Sequence, residues 1–400
     1  MSSAHKATRL PIKGVSVPVP YNSAHFTFDE GLHGVNNGQL TYPEDDHITT
    51  LRPYEGKFGG AIAIEEGTTN LFPDLNMWTV INASTASAED LSKGNNALLL
   101  VSSSDSGSGF FRQNYTQLGV HTLSVFVKAG SNSKLVALRF GGSHCFFNIL
   151  TGEVEHKEGG IINSSISYLS DGWYRISATY DVQASISISI RIADERLAFQ
   201  SEPGIDAIFW RPQLEQKAFA TSFIDGNRIR GRLRYNNAII NPRKFTLNFW
   251  VYLLSDITPD YWRYMFDQGT HILANSFNLR FGSFRIMDRS QAVISESVST
   301  NDFKIGEWQM ITLLADLDDG VMGIFLDADR ASSYSTTKDF SNVDYVRSVI
   351  HWGEVNGGND TSCMLDNVLI LPYAVDKETI QQWYYSESPF YNPYNNFAIG

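Results

Sequence analysis

Cysteine is nearly missing from this chain. Two in 400 residues, Cys145 and Cys363, exclude a disulfide framework and match no metal-ligand or redox spacing. Each lies in an apolar, strand-like stretch, "HCFFNIL" and "SCMLDNV", so both are expected as buried free thiols that behave as small hydrophobes. Positive charge is also in deficit. Against 43 Asp and Glu stand 31 Lys and Arg, for a formal net charge of −12. No nucleic-acid partner is expected, because such binding draws its affinity from a basic surface. No apolar run reaches the roughly 18 residues of a membrane span. The start, "MSSAHKATRLPIKG", lacks the apolar core of a signal peptide, so a soluble chain without membrane insertion is expected.

Catalytic signatures are missing as well. There is no Gly-x-Ser-x-Gly elbow, no His-Glu-x-x-His and no phosphate-binding glycine loop. Glu44 to Thr49, "EDDHIT", is the nearest approach to the Glu-x-Asp-x-x-Glu strand of some sandwich-fold glycosidases, and it lacks the final glutamate. A pair of carboxylates needs only proximity of about 5 to 10 Å, which sequence does not reveal. Nothing in the chain points to such a pair, and no enzyme is expected.

What the chain has is alternation. "ASISISIRIA" puts Ile186, Ile188, Ile190 and Ile192 on one face, and Ser185, Ser187, Ser189 and Arg191 on the other. That is the pattern of a half-buried antiparallel strand. "HTLSVFVKAG" repeats it through Leu123, Val125 and Val127, and "FTLNFWVYL" through Leu247, Phe249 and Val251. "EWQMITLLADLDDGVMGIFLDAD" reads as two strands joined at Asp318-Asp319-Gly320. One short helix is expected near the end, in "AVDKETIQQWYYS", capped by Asp376 with Ile380, Trp383 and Tyr384 on one face. Many short strands between Gly, Ser and Asn turns indicate an all-β protein of β-sandwiches. Residues 1–23 read as an N-terminal arm or linker, and the tail from Ser386 as a segment draped over a sheet.

Between residues 70 and 225 five motifs occur in order: "TTNLFPDLNMW", "HTLSVFVKAG", "FFNILTGEVE", "DGWYRISATY" and "IFWRPQLEQKAFATSFIDG". This series resembles the carbohydrate-binding-module-like jelly roll of phage tail and prophage structural proteins. The remainder resembles a laminin-G or concanavalin-A-like lectin sandwich of the type found in phage proteins. "HFTFDEGLHG" and "EGKFGGAIAIEEG" look like its first strands, and "RKFTLNFWVYL", the 307–329 hairpin and "MLDNVLILPYAVDKETIQQWY" like its later ones. Asp327-Ala328-Asp329 stands where that family has an Asp-Gly turn. Pieces of one sandwich thus flank the other. The preferred organisation is a jelly roll, 68–226, inserted in a discontinuous sandwich of 24–67 plus 227–400. Three sequential units are the alternative, but a forty-residue piece could hardly bury a core alone. Insertion requires the segments around Thr68 and Asn227 to lie side by side.

A sugar platform would combine aromatic faces, which pack on the C–H faces of sugar rings, with polar groups for the hydroxyls. In the jelly roll the candidates are Trp173, Tyr174 and Arg139, with Trp210 and Arg211 beside them. Alternation allows only one of Trp173 and Tyr174 to face solvent. In the other sandwich, "DYWRYMFDQG" gathers Trp262, Arg263 and Tyr264, and "VIHWGEVNGGND" places Trp352 beside Asn356. Structural calcium is the only cofactor considered, with hard oxygen ligands from Asp316, Asp318 and Asp319 or from Asp327 and Asp329, although Asp-rich turns are usually only turns.

The resemblance implies a non-enzymatic phage virion protein, tail-associated, that binds host cell-surface polysaccharide. It also implies contacts with other virion proteins and a homo-oligomer whose many copies supply avidity. The alternatives are a purely structural decoration or assembly module that recognises protein, and a polysaccharide depolymerase.

Overall fold

The computed structural model describes residues 17–18, 24–26, 34–36, 39–41, 50–52, 56–65, 67–103, 109–193, 203–228, 232–236, 243–254, 263–268, 276–280, 283–287, 293–297, 303–330, 334–335, 349–353, 359–360, 362–386 and 390–391. Its contacts divide the chain into two units. Gly67–Arg228 forms one, and Met1–Glu66 with Ile229–Gly400 forms the other. The chain therefore leaves the outer unit after "AIAIE" and returns to it about 160 residues later, the boundaries lying within two residues of the motif junctions. Thr68–Thr69 pairs antiparallel with Asn227–Arg228, and Asn70 N–H donates to Gly226 O at 2.8 Å.

The inserted unit is a jelly roll of two six-stranded sheets. One runs in the order Ile161–Tyr168, Trp173–Val182, Gly119–Ala129, Asp206–Glu215, Ala97–Ser102, Ala83–Ala88. The other runs Glu153–Glu158, Ser143–Asn148, Leu135–Phe140, Ile186–Ala193, Phe110–Tyr115, Thr79–Ile81. Every pairing between neighbours in these two sheets is antiparallel. The period-two pattern decides what lies between the layers. Leu123, Val125, Val127, Ile188, Ile190 and Ile192 are fully buried there with Val136, Leu138, Phe140, Phe147 and Phe209. Each such side chain contributes about 1.5–3 kcal/mol on burial. Cys145 belongs to this core, and both cysteines are buried and form no disulfide.

The outer unit is a concanavalin A-like sandwich of an eleven-stranded and a seven-stranded sheet, counted among the described residues. In the larger sheet Lys244–Leu253 lies between Trp308–Asp316 and Cys363–Leu371, and Ala61–Ile64 pairs with the start of Cys363–Leu371. Cys363–Leu371 is buried at every position, so both its faces are covered, as expected of an inner layer. On one face Trp250, Met310, Leu314, Phe325 and Leu369 pack under the helix Lys377–Ser386 through Ile380 and Trp383. Asp376 Oδ1 accepts from Thr379 N–H at 2.8 Å, which satisfies one of the helix's orphan donors.

The expected hairpin turns are present. Gly320 takes φ +67°, and Asp327 and Ala328 take +50° and +67° where Asp-Gly is usual. Two positive φ values in succession are what a two-residue hairpin loop of this hand requires. Val17–Pro18 pairs parallel with Phe390–Tyr391. Apart from short strand segments, the expected arm and tail lie outside the described residues, as does the 44–49 stretch. No described helix is long and apolar enough to cross a membrane.

Candidate functional site

The motif residues of the jelly roll converge on one outer sheet face, which they close. After strand Asp206–Glu215 the chain folds back, and residues 216–225 cross the neighbouring strands. Thr122 Oγ1 donates to Lys217 O at 2.8 Å, Thr179 Oγ1 to Ala218 O at 3.3 Å, and the Arg175 guanidinium to Thr221 O. Glu215, fully buried, accepts from Thr221 N–H at 2.7 Å, Gln213 Nε2 at 2.8 Å and Thr68 Oγ1 at 3.0 Å. Asn70 completes the clasp. Its Nδ2 donates to Pro212 O and Ile224 O, both at 3.0 Å, while its Oδ1 accepts from Phe72 and Leu214 N–H, both at 3.2 Å. Buried polar groups demand such partners, so the "TN", "WYR" and "QLE…ATSFI" motifs are explained by fold closure.

Two expected platform residues are buried and so are corrected. Trp173, 2% exposed, packs against Trp210 at 6.1 Å in a small cluster with Leu169 and Ala97. Tyr174, 9% exposed, points to the opposite side and joins the main core. Alternation separates the two rings as expected, but the outer face that would have exposed Trp173 is itself covered.

Arg139 is placed differently. The outer face of the second sheet is crossed by a row in direct register: Glu158, His144, Arg139, Ser189, Arg112 and Thr79. The next row contains His156, Phe146, Ala137, Arg191, Phe110 and Ile81. Neighbouring strands lie about 4.8 Å apart, so Arg139 and Arg112 stand roughly 10 Å from each other across Ser189. Arg191 Nε donates to Ser189 Oγ at 2.8 Å, and its guanidinium covers the Phe110 ring at 3.8 Å. Arg139 Nε donates to Gly141 O at 2.6 Å. Burial first, then the charges of Arg139 and Arg112, bring the Arg191 guanidinium down to about 10.

The outer face of the four strands from Ser143–Asn148 to Phe110–Tyr115 carries these three arginines, of which Arg191 is buried, as is Ser189 beside it. On the edge strand Glu158 meets His144 Nε2 at 3.1 Å and Glu155 accepts from Asn148 at 2.7 Å. One end of the face is apolar and buried, with Leu135, Ala137, Phe146 and Ala193. At the other end Arg112 and Asn114 are exposed, and Ser187, Arg139 and His144 are half-buried. The sequence signal for this face was the polar half of the "ISISIRIA" alternation together with "FFRQNY".

In the outer unit, strands Arg263–Gln268 and Val349–Gly353 are neighbours, with Phe266 opposite Trp352. Asn359–Asp360 pairs with Arg263–Tyr264, so the backbone brings the two candidate segments to one part of the seven-stranded sheet. Trp262 and Asn356 lie outside the described residues.

Three of the five aspartates considered for calcium are committed to cations and amides. Asp316 Oδ2 meets Lys244 Nζ at 2.5 Å, Asp318 meets Arg243 Nη2 at 2.7 Å, and Asp327 meets Lys304 Nζ at 2.6 Å and accepts from Met310 N–H at 3.0 Å. Burial would raise the Asp316 carboxyl, but Lys244 and the Asp319 amide outweigh it and hold it below its ordinary value. Oxygens already facing ammonium and guanidinium groups do not fit a metal. Among the described residues no three His, Cys, Asp or Glu side chains gather as a metal site.

Two β-sandwiches, one a jelly roll and the other concanavalin A-like, define a protein of lectin-type architecture. Residues 226–381 match the family model Laminin_G_3, described as the concanavalin A-like lectin/glucanases superfamily. No curated protein matches the chain. Among solved structures, the binding domain of botulinum neurotoxin DC in complex with rat synaptotagmin II aligns at 15% identity with a TM-score of 0.32, over 40% of this chain and 41% of that one. The binding domain of botulinum neurotoxin DC in complex with SialylT aligns at 13% identity with a TM-score of 0.33, over 40% of each chain. The chain therefore spans about two fifths of those structures, and likeness at this level carries no argument about its ligand.

Proposed function

We propose that the chain is a non-enzymatic carbohydrate-binding protein of a phage particle, tail-associated, whose two lectin-type sandwiches attach to host cell-surface polysaccharide. The observation that carries the binding role is the match of residues 226–381 to the concanavalin A-like lectin/glucanases superfamily on a sandwich of that fold. Binding is favoured over hydrolysis by the sequence, in which the nearest approach to the glycosidase strand, Glu44 to Thr49, lacks the final glutamate. The virion setting rests on the five ordered motifs between residues 70 and 225. Individual sites would be weak, and many copies on one particle would supply avidity.

Retention of the full chain, displayed in many copies, on purified host cell-wall polysaccharide tests this reading. Retention without release of reducing ends is expected. Release that stops on mutation of a single acidic residue would make the protein a depolymerase. A structural decoration or assembly role, with protein as partner, is favoured by one observation. Asn70, Arg175, Gln213, Glu215 and Thr221 of the motifs are all committed to the clasp, so the resemblance they carry concerns fold closure. Antibody labelling of particles away from the adsorption apparatus, with no polysaccharide retained, would establish that role.

A further inference from the structure

We infer that the edge strand Ala83–Ala88 of the jelly roll pairs antiparallel with the same strand of a second copy of this chain, joining two six-stranded sheets into one across a twofold axis. The inference stands apart from the carbohydrate-binding reading, and either can fail alone. The backbone is the first argument. Ala83–Ala88 ends its sheet, paired on one side with Ala97–Ser102 in an unbroken register. Ser102 N–H donates to Ile205 O at 2.8 Å and Ser102 O accepts from Gly204 N–H at 2.9 Å, so Ser102 turns its backbone away from Ala83. Ser103 N–H, next along, donates to Asn82 O at 2.9 Å. Backbone direction alternates along an antiparallel pair. Ser84, Ala86 and Ala88 therefore bond inward, and Ala83, Thr85 and Ser87 present N–H and C=O outward. Among the described residues nothing pairs with that outer side.

The second argument is the lack of protection. Sheet edges are normally blunted by charge, shortness, proline or a bulge. The remaining edges of this unit follow that rule. Thr79–Ile81 is short, Glu153–Glu158 carries Glu153, Glu155, Lys157 and Glu158, and Ile161–Tyr168 is bulged between Ile161 and Asn163. "ASTASA" has none of these devices, and its Ser84, Thr85, Ala86 and Ser87 are exposed. Charge and symmetry then select the occupant. Copies of a chain with net charge −12 repel one another, and this strand lets them meet without an ionisable side chain. A twofold axis at Thr85 sets Ala83 against Ser87, Thr85 against Thr85 and Ser87 against Ala83, so every outward backbone group finds a partner. Side chains of directly opposed residues share a face. On the outer face Ile208, Leu99 and Ala86 form one row, which Ser84 and Val101 of the second copy continue. Leu99, Val101 and Ile208 are only half-buried, so apolar surface is covered beside the axis.

The test is sedimentation equilibrium of the full chain over a range of concentrations, with far-UV circular dichroism to check folding. One short strand from each copy makes an interface below the roughly 1,200 Å² of stable complexes, so a concentration-dependent dimer is expected. Thr85→Pro removes the N–H donors at the axis, and an edge strand tolerates proline where that N–H faces outward. It should weaken dimerisation about tenfold or more. Thr85→Lys, which sets like charges face to face, should act in the same direction and decides the matter if the proline variant does not fold. Ile162→Lys is the control: it places the same charge at an exposed position of the edge strand Ile161–Tyr168 and should leave dimerisation unchanged. A chain that stays monomeric up to about 0.1 mM would overturn the inference and leave this edge to a strand of another protein. Undiminished dimerisation of the folded Thr85 variants would overturn it too, as would equal weakening by Ile162→Lys.

Discussion

Replacing Asn70 by alanine should loosen the jelly roll more than any other single change in its motifs. The side chain is 4% exposed and holds four backbone groups at once: two carbonyls, of Pro212 and Ile224, and two amides, of Phe72 and Leu214. Alanine removes all four hydrogen bonds. A typical bond is worth about 1 kcal/mol net, and each buried group left without a partner costs about 1–3 kcal/mol. Some of the four will reach water once the clasp relaxes, which leaves a loss of roughly 3–5 kcal/mol. For a domain of this size each kcal/mol lowers the melting temperature by about 2–4 °C. A drop on the order of 10 °C is therefore expected. Differential scanning calorimetry of the full chain is the assay, with the inserted unit's transition moving and the outer unit's transition staying in place. Asn70→Asp keeps the acceptor but loses the donor, so it should recover only the bonds to Phe72 and Leu214. A loss below about 1 kcal/mol in Asn70→Ala, or an equal shift of both transitions, would refute the assignment of these motifs to fold closure.

Three further outcomes follow from local chemistry. Trp250→Ala in the outer unit should cost roughly 3–5 kcal/mol, read as a lowered urea midpoint, because Trp250 is stacked on Tyr384 at 5.9 Å, edge-on to Phe58 at 5.6 Å and beneath Lys57 at 4.6 Å. Burial would raise the Asp90 carboxyl, but bonds from Ser92, Gly94 and Asn96 prevail and hold it below its ordinary value. Its contribution is present above the unfolded pKa of about 4 and lost as pH falls through the lower folded value. Urea midpoints measured down to acid pH should show that slope in the native sequence and a weaker one in Asp90→Asn. Burial also pushes the Cys145 thiol up to about 11, against smaller opposing effects of Ser164 and Lys157. With Cys363 buried too, neither cysteine should react with a thiol reagent at neutral pH until the chain is unfolded.

Alternation made the strands legible. The isoleucines of "ASISISIRIA" and the Leu123, Val125, Val127 series face the core as the period-two pattern requires, and Ile380 and Trp383 of the single helix lie against the larger sheet. What escaped the sequence was which polar faces are themselves covered. Trp173 sits on the non-core side of its strand, and Ala97, Leu169 and Trp210 bury it there. The pairing of turn aspartates with Lys244, Arg243 and Lys304 is equally non-local, since Lys244 and Asp316 are opposite one another only through the register of their strands. The gathering of Arg112 and Arg191 beside Arg139 is non-local too. Each reads alone as the polar half of an alternation, and register alone places them beside Arg139. Arg139 was already among the candidates, but its neighbours came from strands far away in sequence.

The central claim is that this chain binds carbohydrate, and a glycan array probed with the full chain displayed in many copies tests it most directly. Saturable retention on at least one host-type polysaccharide is the expected result. Clean absence of retention on every polysaccharide by the multivalent form would contradict it.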